Sequence, residues 1–170
     1  QMLKYTLLSL ERILIIYKHS RQVYFMVVIA FSGLPGTGSS TAGRLLAERL
    51  GVEFFSVGAY NKSHAEKFSG QSVEKETERS IAVWKTEKGS STEFHISSDE
   101  IARQKAKKGN IVIEGKLAIR MIKGLCDFSV WIKAPVDVRA RRISGRDGTI
   151  FEEAKKTLVE KEKLETDNWK

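Results

Sequence analysis

Residues 27–51 have the sequence VVIAFSGLPGTGSSTAGRLLAERLG. Residues 27–31 are a run of β-branched and apolar residues without polar alternation, which predicts a central strand buried on both faces. Three glycines then occur within six positions, and the next segment places apolar residues on one helical face. Gly51 stands where a glycine would cap that helix. The stretch therefore predicts a strand, a glycine-rich turn and a helix in succession.

The turn between these two elements has the composition of a phosphate-binding loop. Its glycines allow backbone N–H groups to converge on phosphate oxygens, and the amino terminus of the following helix favours an anion. The spacing from Gly33 to Ser40 fits the pattern G-x-x-x-x-G-x-[ST], in which Ser40 supplies a hydroxyl to Mg²⁺. Ser39 takes the position of the usual lysine, so the loop lacks the cation that reaches the β and γ phosphates. A tight glycine turn without a ligand is the alternative interpretation.

Further strands alternate with helical stretches in the rest of the chain. Residues 111–113 and 128–133 are apolar runs, and residues 52–56 form a shorter candidate strand. Because helices separate these strands, the sheet is predicted to be parallel. Glu114 follows one buried strand at its carboxyl end, where doubly wound sheets bind ligands, and could hold a Mg²⁺ water or contact an acceptor. A surface glutamate that opens a turn is the alternative.

An arginine stripe follows Pro135, a residue that favours the start of a helix. In residues 136–148 (VDVRARRISGRDG), Arg139, Arg142 and Arg146 lie three and four positions apart and share one helical face. Guanidinium groups match phosphate oxygens in geometry, so the stripe could offset the charge that spreads over a transferred phosphoryl group. A solvated charged face is the alternative interpretation.

Composition narrows the class of protein. The chain has 170 residues, 41% of them hydrophobic, and two prolines, which suits one compact domain. Its net charge of +8 suits a protein that handles phosphates and equally suits an ordinary solvated surface. Basic residues are spread along the chain without interleaved aromatic residues, which argues against nucleic-acid binding. Cys126 is the only cysteine, which excludes an intramolecular disulfide and favours a cytoplasmic location.

The amino-terminal region differs in composition from the rest of the chain. Residues 7–17 are apolar but include Glu11 and Arg12, so the segment is too short and too charged to span a bilayer. No membrane association is expected. We interpret residues 1–25 as an extension, either a docked amphipathic helix or a stretch upstream of a natural start at Met26.

Several segments together resemble the archaeal cytidylate kinases: VVIAFSGLPGTGSST, AGRLLAERLG, SVG, NIVIEGKLA and WIKAPVDVRARRISGRDG. The similarity extends over most of residues 26–170 and is weakest around residues 59–97. It implies an α/β fold of the P-loop nucleoside monophosphate kinase type, a three-layer sandwich whose parallel sheet has helices on both faces and a short lid. It also implies transfer of a phosphoryl group from ATP, with Mg²⁺, to CMP or dCMP.

The resemblance also implies roles for individual residues. The loop residues expected to bind ATP are Gly33, Gly36, Thr37, Gly38, Ser39, Ser40 and Thr41. The lid residues expected to be catalytic are Arg139, Arg142 and Arg146. The residues expected to bind the acceptor are Ser56, Gly58, Asp99, Arg103, Glu114, Gly115 and Lys116, and those expected to hold the metal are Ser40 and Glu114. A small hydroxyl residue is common in the family at position 39, whereas Ala59 and Lys62 replace an acidic residue and an arginine.

The remaining expectations concern domain limits and partners. Residues 26–170 are expected to form the kinase domain without the last strand and helix of the family, and residues 59–97 a mobile, partly helical acceptor-binding segment. Residues 151–164 mix Glu and Lys at helical spacing, which predicts a solvated helix. The expected partners are small-molecule nucleotides, with a monomer or weak homodimer as the assembly. A nucleotide-binding protein without turnover and a kinase for another small metabolite remain as alternatives.

Overall fold

A computed structural model of the protein describes residues 26–64, 67 and 74–167. The interpretation of residues 1–25 as an extension, and part of that of residues 59–97, fall outside this portion of the chain. Within the described residues, no helix is both long enough and apolar enough to cross a membrane.

The strands form a four-stranded parallel sheet in the described part of the chain. They are β1 (Val28–Gly33), β2 (Glu53–Ser56), β3 (Ile111–Glu114) and β4 (Phe128–Ile132). Their order in the sheet is β2-β3-β1-β4. β1 is central, with Ala30 opposite Ile113 of β3 on one side and Ser129 of β4 on the other. The apolar runs of the sequence are thus confirmed as parallel strands.

Helices occupy most of the connections between strands. They are α1 (Ser39–Leu50), α2 (Val57–Lys62), α3 (Glu76–Trp84), α4 (Glu87–Ser90), α5 (Thr92–Lys108), α6 (Ala118–Met121), α7 (Val136–Asp147) and α8 (Phe151–Asp167). Gly51 ends α1 with φ of 67°, and its N–H group donates to the carbonyl oxygens of Ala47 and Glu48. This is the glycine cap that the sequence predicted.

Alternate residues of β1 and β3 pack into different layers. One core cluster combines α5 and α6 with Val28, Ala30, Ile111 and Ile113. The other combines α1 with Ile29, Phe31 and Val112. Both strands lack polar alternation because helices cover both faces of the sheet. The predicted three-layer α/β arrangement is confirmed.

A third, smaller cluster joins α7 to α8. It consists of Ala140, Ile143, Ala154 and Leu158. Leu158 is fully buried (0% exposed), whereas its neighbour Val159 is 53% exposed. The prediction of a solvated helix for residues 151–164 is therefore correct for its helical state but wrong for one face, which is buried against α7.

Replacing Leu158 with alanine should lower the free energy of unfolding by about 2–5 kcal/mol, because the change removes a buried side chain and leaves a cavity. The matched change Val159→Ala on the exposed side of α8 should cost less than about 0.5 kcal/mol. Urea unfolding followed by circular dichroism measures both. Equal losses in the two variants would contradict this orientation of α8.

Candidate active site

The carboxyl ends of β1, β2 and β3 open into one cavity of about 860 Å³. The loop after β1, the Ser56 side chain and the Glu114 side chain all line it. Side chains of α2, α3, α5, α7 and α8 contribute further parts of the wall. Because parallel α/β sheets bind their ligands at this edge, the cavity is the candidate active site.

The glycine-rich loop, residues 33–38, leads directly into α1. Gly36 (φ +78°) and Gly38 (φ +90°) have a left-handed backbone that other residues rarely adopt. A Cβ atom at Gly36 would also lie 2.9 Å from the carbonyl oxygen of Arg139. Gly38 is the N-cap of α1 and has no side chain to accept from the first amides of the helix. These N–H groups are therefore donors for an anion in the cavity.

A buried carboxylate connects the loop to the two neighbouring strand ends. The Ser39 hydroxyl donates to Oε1 of Glu114 at 2.7 Å, and the Ser56 hydroxyl donates to Oε2 at 2.7 Å. Ser39 and Glu114 are each only 6% exposed. A carboxylate at this depth needs hydrogen-bond donors, and the two serines provide them. The hydroxyl in the lysine position thus has a definite structural partner.

Ser40 lies in the first turn of α1, exposed and on the cavity wall beside Thr41. Its hydroxyl and the Glu114 carboxylate are oxygen groups of the kind that Mg²⁺ prefers. In the described ranges, no group of three or more His, Cys, Asp and Glu residues is arranged to hold a metal ion. The two side chains suit a cation that takes its other ligands from water and phosphates, which is the usual manner of Mg²⁺.

Arg142 of α7 lies over the phosphate loop. Its Nη1 donates to the carbonyl oxygens of Thr37 at 2.8 Å and of Gly36 at 3.4 Å. The side chain also lines the cavity. The guanidinium charge is therefore fixed beside the backbone donors of the loop.

Arg139 occupies a different environment, although it shares a helical face with Arg142. It is only 5% exposed, and its guanidinium donates to the carbonyl oxygens of Ala134 (3.2 Å) and Pro35 (3.1 Å) and pairs with Glu162 of α8. The structure places it behind the loop and not on the cavity wall. Its contacts support the loop backbone instead of facing a ligand.

Arg146 lines the cavity, but its guanidinium already contacts several protein groups. Nη1 lies 3.1 Å from Oε2 of Glu76, Nη2 donates to Oγ1 of Thr77 at 2.6 Å, and Nε donates to Oδ1 of Asp147 at 2.7 Å. Lys62 forms an ion pair with the same Glu76. Burial alone would raise the pKa of Glu76, but the Lys62 contact and the Arg146 charge hold it below its usual value.

The predicted acceptor residues next to β2 and β3 also reach the cavity. Gly58, Gly115 and Lys116 line it together with Ser56. Nζ of Lys116 lies 3.0 Å from Oε2 of Glu165, so α8 supplies the carboxylate that neutralises this ammonium. Lys116 is thus positioned where a phosphate could replace a carboxylate as its partner.

Asp99 and Arg103 lie one helical turn apart on α5 but face different surroundings. Asp99 lines the cavity, and burial raises the pKa of its carboxyl group while the Arg103 and Arg120 charges oppose this shift. Arg103 is exposed, donates from Nε to the carbonyl oxygen of Met121 at 2.9 Å, and lies off the cavity wall. The structure therefore brings Asp99, but not Arg103, to the other candidate residues.

Two side chains of α8 that the sequence did not predict as site residues, Lys161 and Glu165, line the cavity. They are 16% and 9% exposed, and Nζ of Lys161 lies 3.6 Å from Oε1 of Glu165. Burial lowers the pKa of the Lys161 ammonium, and the charges of Lys62 and Arg146 lower it further against the opposing Glu165. A buried lysine surrounded by other cations marks a place where an anion would be stabilised.

A pattern in the sequence could have identified these two residues. Ala154, Leu158, Lys161 and Glu165 follow one another at intervals of four, three and four positions, so they share one face of a helix. The apolar half of this stripe packs on α7 and the charged half lines the cavity. Charged residues that continue the apolar stripe of a helix therefore indicate that these side chains face the interior or the cavity and not the solvent.

The sequence also did not predict the side chains that line the cavity between α2, α3 and α5. They include Asn61, Ser80, Val83, Trp84, His95 and Ser98. The rings of Trp84 and His95 are stacked, with centroids 4.4 Å apart and planes inclined by 21°. The Ser98 hydroxyl donates to Oδ1 of Asn61 at 2.8 Å.

The overall fold is shared with a solved shikimate kinase from Bacteroides thetaiotaomicron. The TM-score is 0.54 at 19% sequence identity, and the superposition covers 84% of this chain and 80% of that chain. At this level of identity the similarity concerns the fold alone.

Comparison of the amino-acid sequence with known proteins identifies the family as well as the fold. Residues 28–169 match the model of the cytidylate kinase-like family. The chain is 36% identical over 141 residues to a cytidylate kinase of Pyrobaculum calidifontis, covering 82% of this chain and 71% of that protein. It is 31% identical over 153 residues to a cytidylate kinase of Methanopyrus kandleri, covering 85% of this chain and 75% of that protein. The chain therefore belongs to the cytidylate kinase-like family.

Proposed function

We propose that the protein is a cytidylate kinase that transfers the γ-phosphoryl group of ATP to CMP or dCMP. The bond between the γ-phosphorus and the β,γ-bridging oxygen breaks, and an oxygen of the acceptor phosphate forms a new bond to that phosphorus. The products are ADP and CDP or dCDP. The observation that carries this proposal is the phosphate loop, held to Glu114 through Ser39 and covered by Arg142, in a chain of this family.

The donor phosphates bind at the loop and at the amino terminus of α1. Backbone N–H groups there supply directed donors, and the helix dipole adds favourable charge. Since Ser39 donates to Glu114 and is neutral, the loop itself contributes no side-chain cation. Arg142 and Lys161, which line the same cavity, supply the missing positive charge.

Ser40 and Glu114 would hold Mg²⁺, and the metal would neutralise negative charge on the phosphates when bound. Both Glu114 oxygens already accept serine hydroxyls, but each carboxylate oxygen has a second lone pair that remains for a metal-bound water. The serine hydroxyls orient the carboxylate, so its direction into the cavity is fixed before the nucleotide arrives.

The acceptor monophosphate binds between α2 and the turn after β3. Lys116 is the candidate cation for its phosphate, and Ser56, Gly58 and Gly115 line the same cavity. Binding of the phosphate would displace Glu165 from Lys116, exchanging one anion for another. Catalysis then consists of holding the two phosphates in line and offsetting charge in the transition state, and it needs no protein nucleophile.

A coupled assay of ADP release tests the reaction directly, with ATP and Mg²⁺ against CMP, dCMP, UMP, AMP and GMP. We expect the highest kcat/KM for CMP or dCMP. Measurable ATP binding without product from any acceptor would instead support a nucleotide-binding protein without turnover. Phosphorylation of a different small metabolite in preference to all five would reject cytidylate as the acceptor.

Replacing Arg142 with alanine should lower kcat by more than tenfold, since a fixed cation beside the transferred group stabilises the transition state by several kcal/mol. Arg141→Ala is the matched control, because Arg141 is exposed and lies over the Phe151 ring, 4.9 Å from its centroid. Steady-state kinetics of both variants measure the difference. An unchanged rate for Arg142→Ala would exclude this residue from catalysis.

Replacing Lys161 with methionine should weaken ATP binding by about tenfold or more, since a hydrogen bond to a charged group contributes about 1.5–3 kcal/mol. Lys161→Arg should retain most of the affinity, because it keeps the charge. Lys163→Met changes an exposed lysine of the same helix and serves as the control. Equilibrium titration with ATP and adenosine separates the phosphate contribution, and equal weakening for both ligands would contradict a phosphate contact.

A further inference from the structure

The end of α7 contacts the start of α3 beside the cavity. Arg146 and Asp147, the last two residues of α7, meet Glu76 and Thr77, the first two residues of α3. Arg146, Glu76 and Thr77 line the cavity, whereas Asp147 lies off its wall. The arginine-bearing helix is therefore joined at this point to a second helix of the cavity wall.

Asp147 is a carboxylate in a costly position. Its side chain is only 4% exposed, and it lies at the carboxyl end of α7, where the helix dipole disfavours negative charge. Burial alone would raise the pKa of Asp147, but the contacts with Arg146 and Thr77 hold it below its usual value. The group is therefore an anion at neutral pH, and its partners offset both costs.

Asp147 holds the guanidinium of Arg146 through both carboxylate oxygens. Oδ1 accepts from Nε at 2.7 Å, and Oδ2 accepts from Nη2 at 3.0 Å. Oγ1 of Thr77 accepts from the same Nη2 at 2.6 Å. A contact through two oxygens fixes the plane of a guanidinium as well as its position. Nη1 is the nitrogen that Asp147 and Thr77 do not use.

Asp147 also holds the start of α3. Its Oδ2 accepts from the backbone N–H group of Thr77 at 3.2 Å. Thr77 is the second residue of α3, and the N-cap residue Lys75 has no side-chain hydrogen bond to the first turn. A side-chain oxygen at the N-cap position normally accepts from an amide of this turn. Asp147 supplies that cap from another helix, so one carboxylate determines both the plane of Arg146 and the attachment of α3.

Glu76 forms a more exposed contact with the same guanidinium. Its Oε2 lies 3.1 Å from Nη1 of Arg146, and both side chains are 41% exposed. Its other oxygen pairs with Lys62. Exposed ion pairs contribute little to stability, whereas breaking a buried and hydrogen-bonded pair is costly. Glu76 is therefore the partner that an arriving anion displaces from Arg146 at least cost.

We propose that Asp147 is a positioning residue for phosphoryl transfer: it holds the Arg146 guanidinium so that Nη1 faces the transferred group, and it keeps α3 attached to α7. This role rests on the proposed function, in which the phosphates occupy the cavity that Arg146 lines. A guanidinium whose plane is already fixed stabilises the transition state without reorientation. Asp147 acts only through Arg146, because it lies off the cavity wall.

The test is a double-mutant cycle on kcat with Asp147→Asn, Arg146→Ala and the two changes combined. Asp147→Asn should lower kcat by about tenfold and change KM for ATP and CMP by less than about threefold, because it misdirects a group that acts in the transition state. The double variant should lose no more than Arg146→Ala alone, since Asp147 acts through Arg146. Losses that multiply would show a purely structural role and would overturn the proposal.

Asp137→Asn is the matched control, because it makes the same chemical change on the same helix at an exposed carboxylate that is paired with Lys155. It should leave kcat unaltered, and a loss equal to that of Asp147→Asn would reject a specific role for Asp147. If Asp147→Asn does not fold, Asp147→Glu takes its place in the cycle with the same expectation. It keeps the charge but displaces the carboxylate by one methylene group.

The NMR signal of the Arg146 Nε–H group separates this proposal from the proposed function. The signal is assigned by its loss in Arg146→Ala, and its protection from solvent exchange should be lost in Asp147→Asn but not in Asp137→Asn. If this pattern occurs in a protein without turnover, the orientation of Arg146 by Asp147 is supported and the kinase assignment fails. If CMP is phosphorylated and Asp147→Asn leaves kcat unchanged, the kinase assignment stands and the positioning role is wrong.

Discussion

The hydrogen bonds from Ser39 and Ser56 to the Glu114 carboxylate hold the active site together. A carboxylate that is 6% exposed is costly to bury, and it persists because both oxygens have donors. The two hydroxyls come from the first residue of α1, directly after the loop, and from the end of β2, while Glu114 ends β3. One side chain thus fixes the relative positions of three strand ends, and the cavity opens where they meet.

The same contact explains how the loop tolerates a serine in the lysine position. A lysine there would neutralise Glu114 within the protein, whereas a hydroxyl satisfies one oxygen and leaves the negative charge in place. Under the proposed function, positive charge for the phosphates must then come from elsewhere in the fold. Arg142, which donates to the loop carbonyl oxygens, and Lys161 both lie on helices that follow β4, so the proposed source of this charge is the carboxyl-terminal part of the described chain.

Local patterns were sufficient for the parts of the fold that depend on neighbouring residues in sequence. Apolar runs gave the strands, and the glycine spacing gave the loop and the start of α1. Sequence patterns did not predict which side chains reach the cavity, because contacts between elements distant in sequence determine this. Arg139 and Arg142 share a helical face, yet one is enclosed by Pro35 and Glu162 and the other lines the cavity. Likewise, Asn61 and Trp84 belong to a segment without a recognisable motif, and only the packing of α2, α3 and α5 brings them to the site.

The attachment of α8 has a consequence for how the helix responds to its surroundings. Beyond its apolar contact with α7, α8 is joined to the rest of the protein by ion pairs that include Lys85–Glu160, Arg139–Glu162 and Lys116–Glu165. Lys85 and Glu160 are exposed, so their ion pair weakens as ionic strength rises, whereas Arg139 and Glu165 are mostly buried and their pairs are screened much less. Added salt therefore acts mainly on the outer contact of α8, between Lys85 and Glu160. The attachment of α8 therefore depends more on its apolar contact with α7 and on its buried ion pairs than on the ionic strength of the solution.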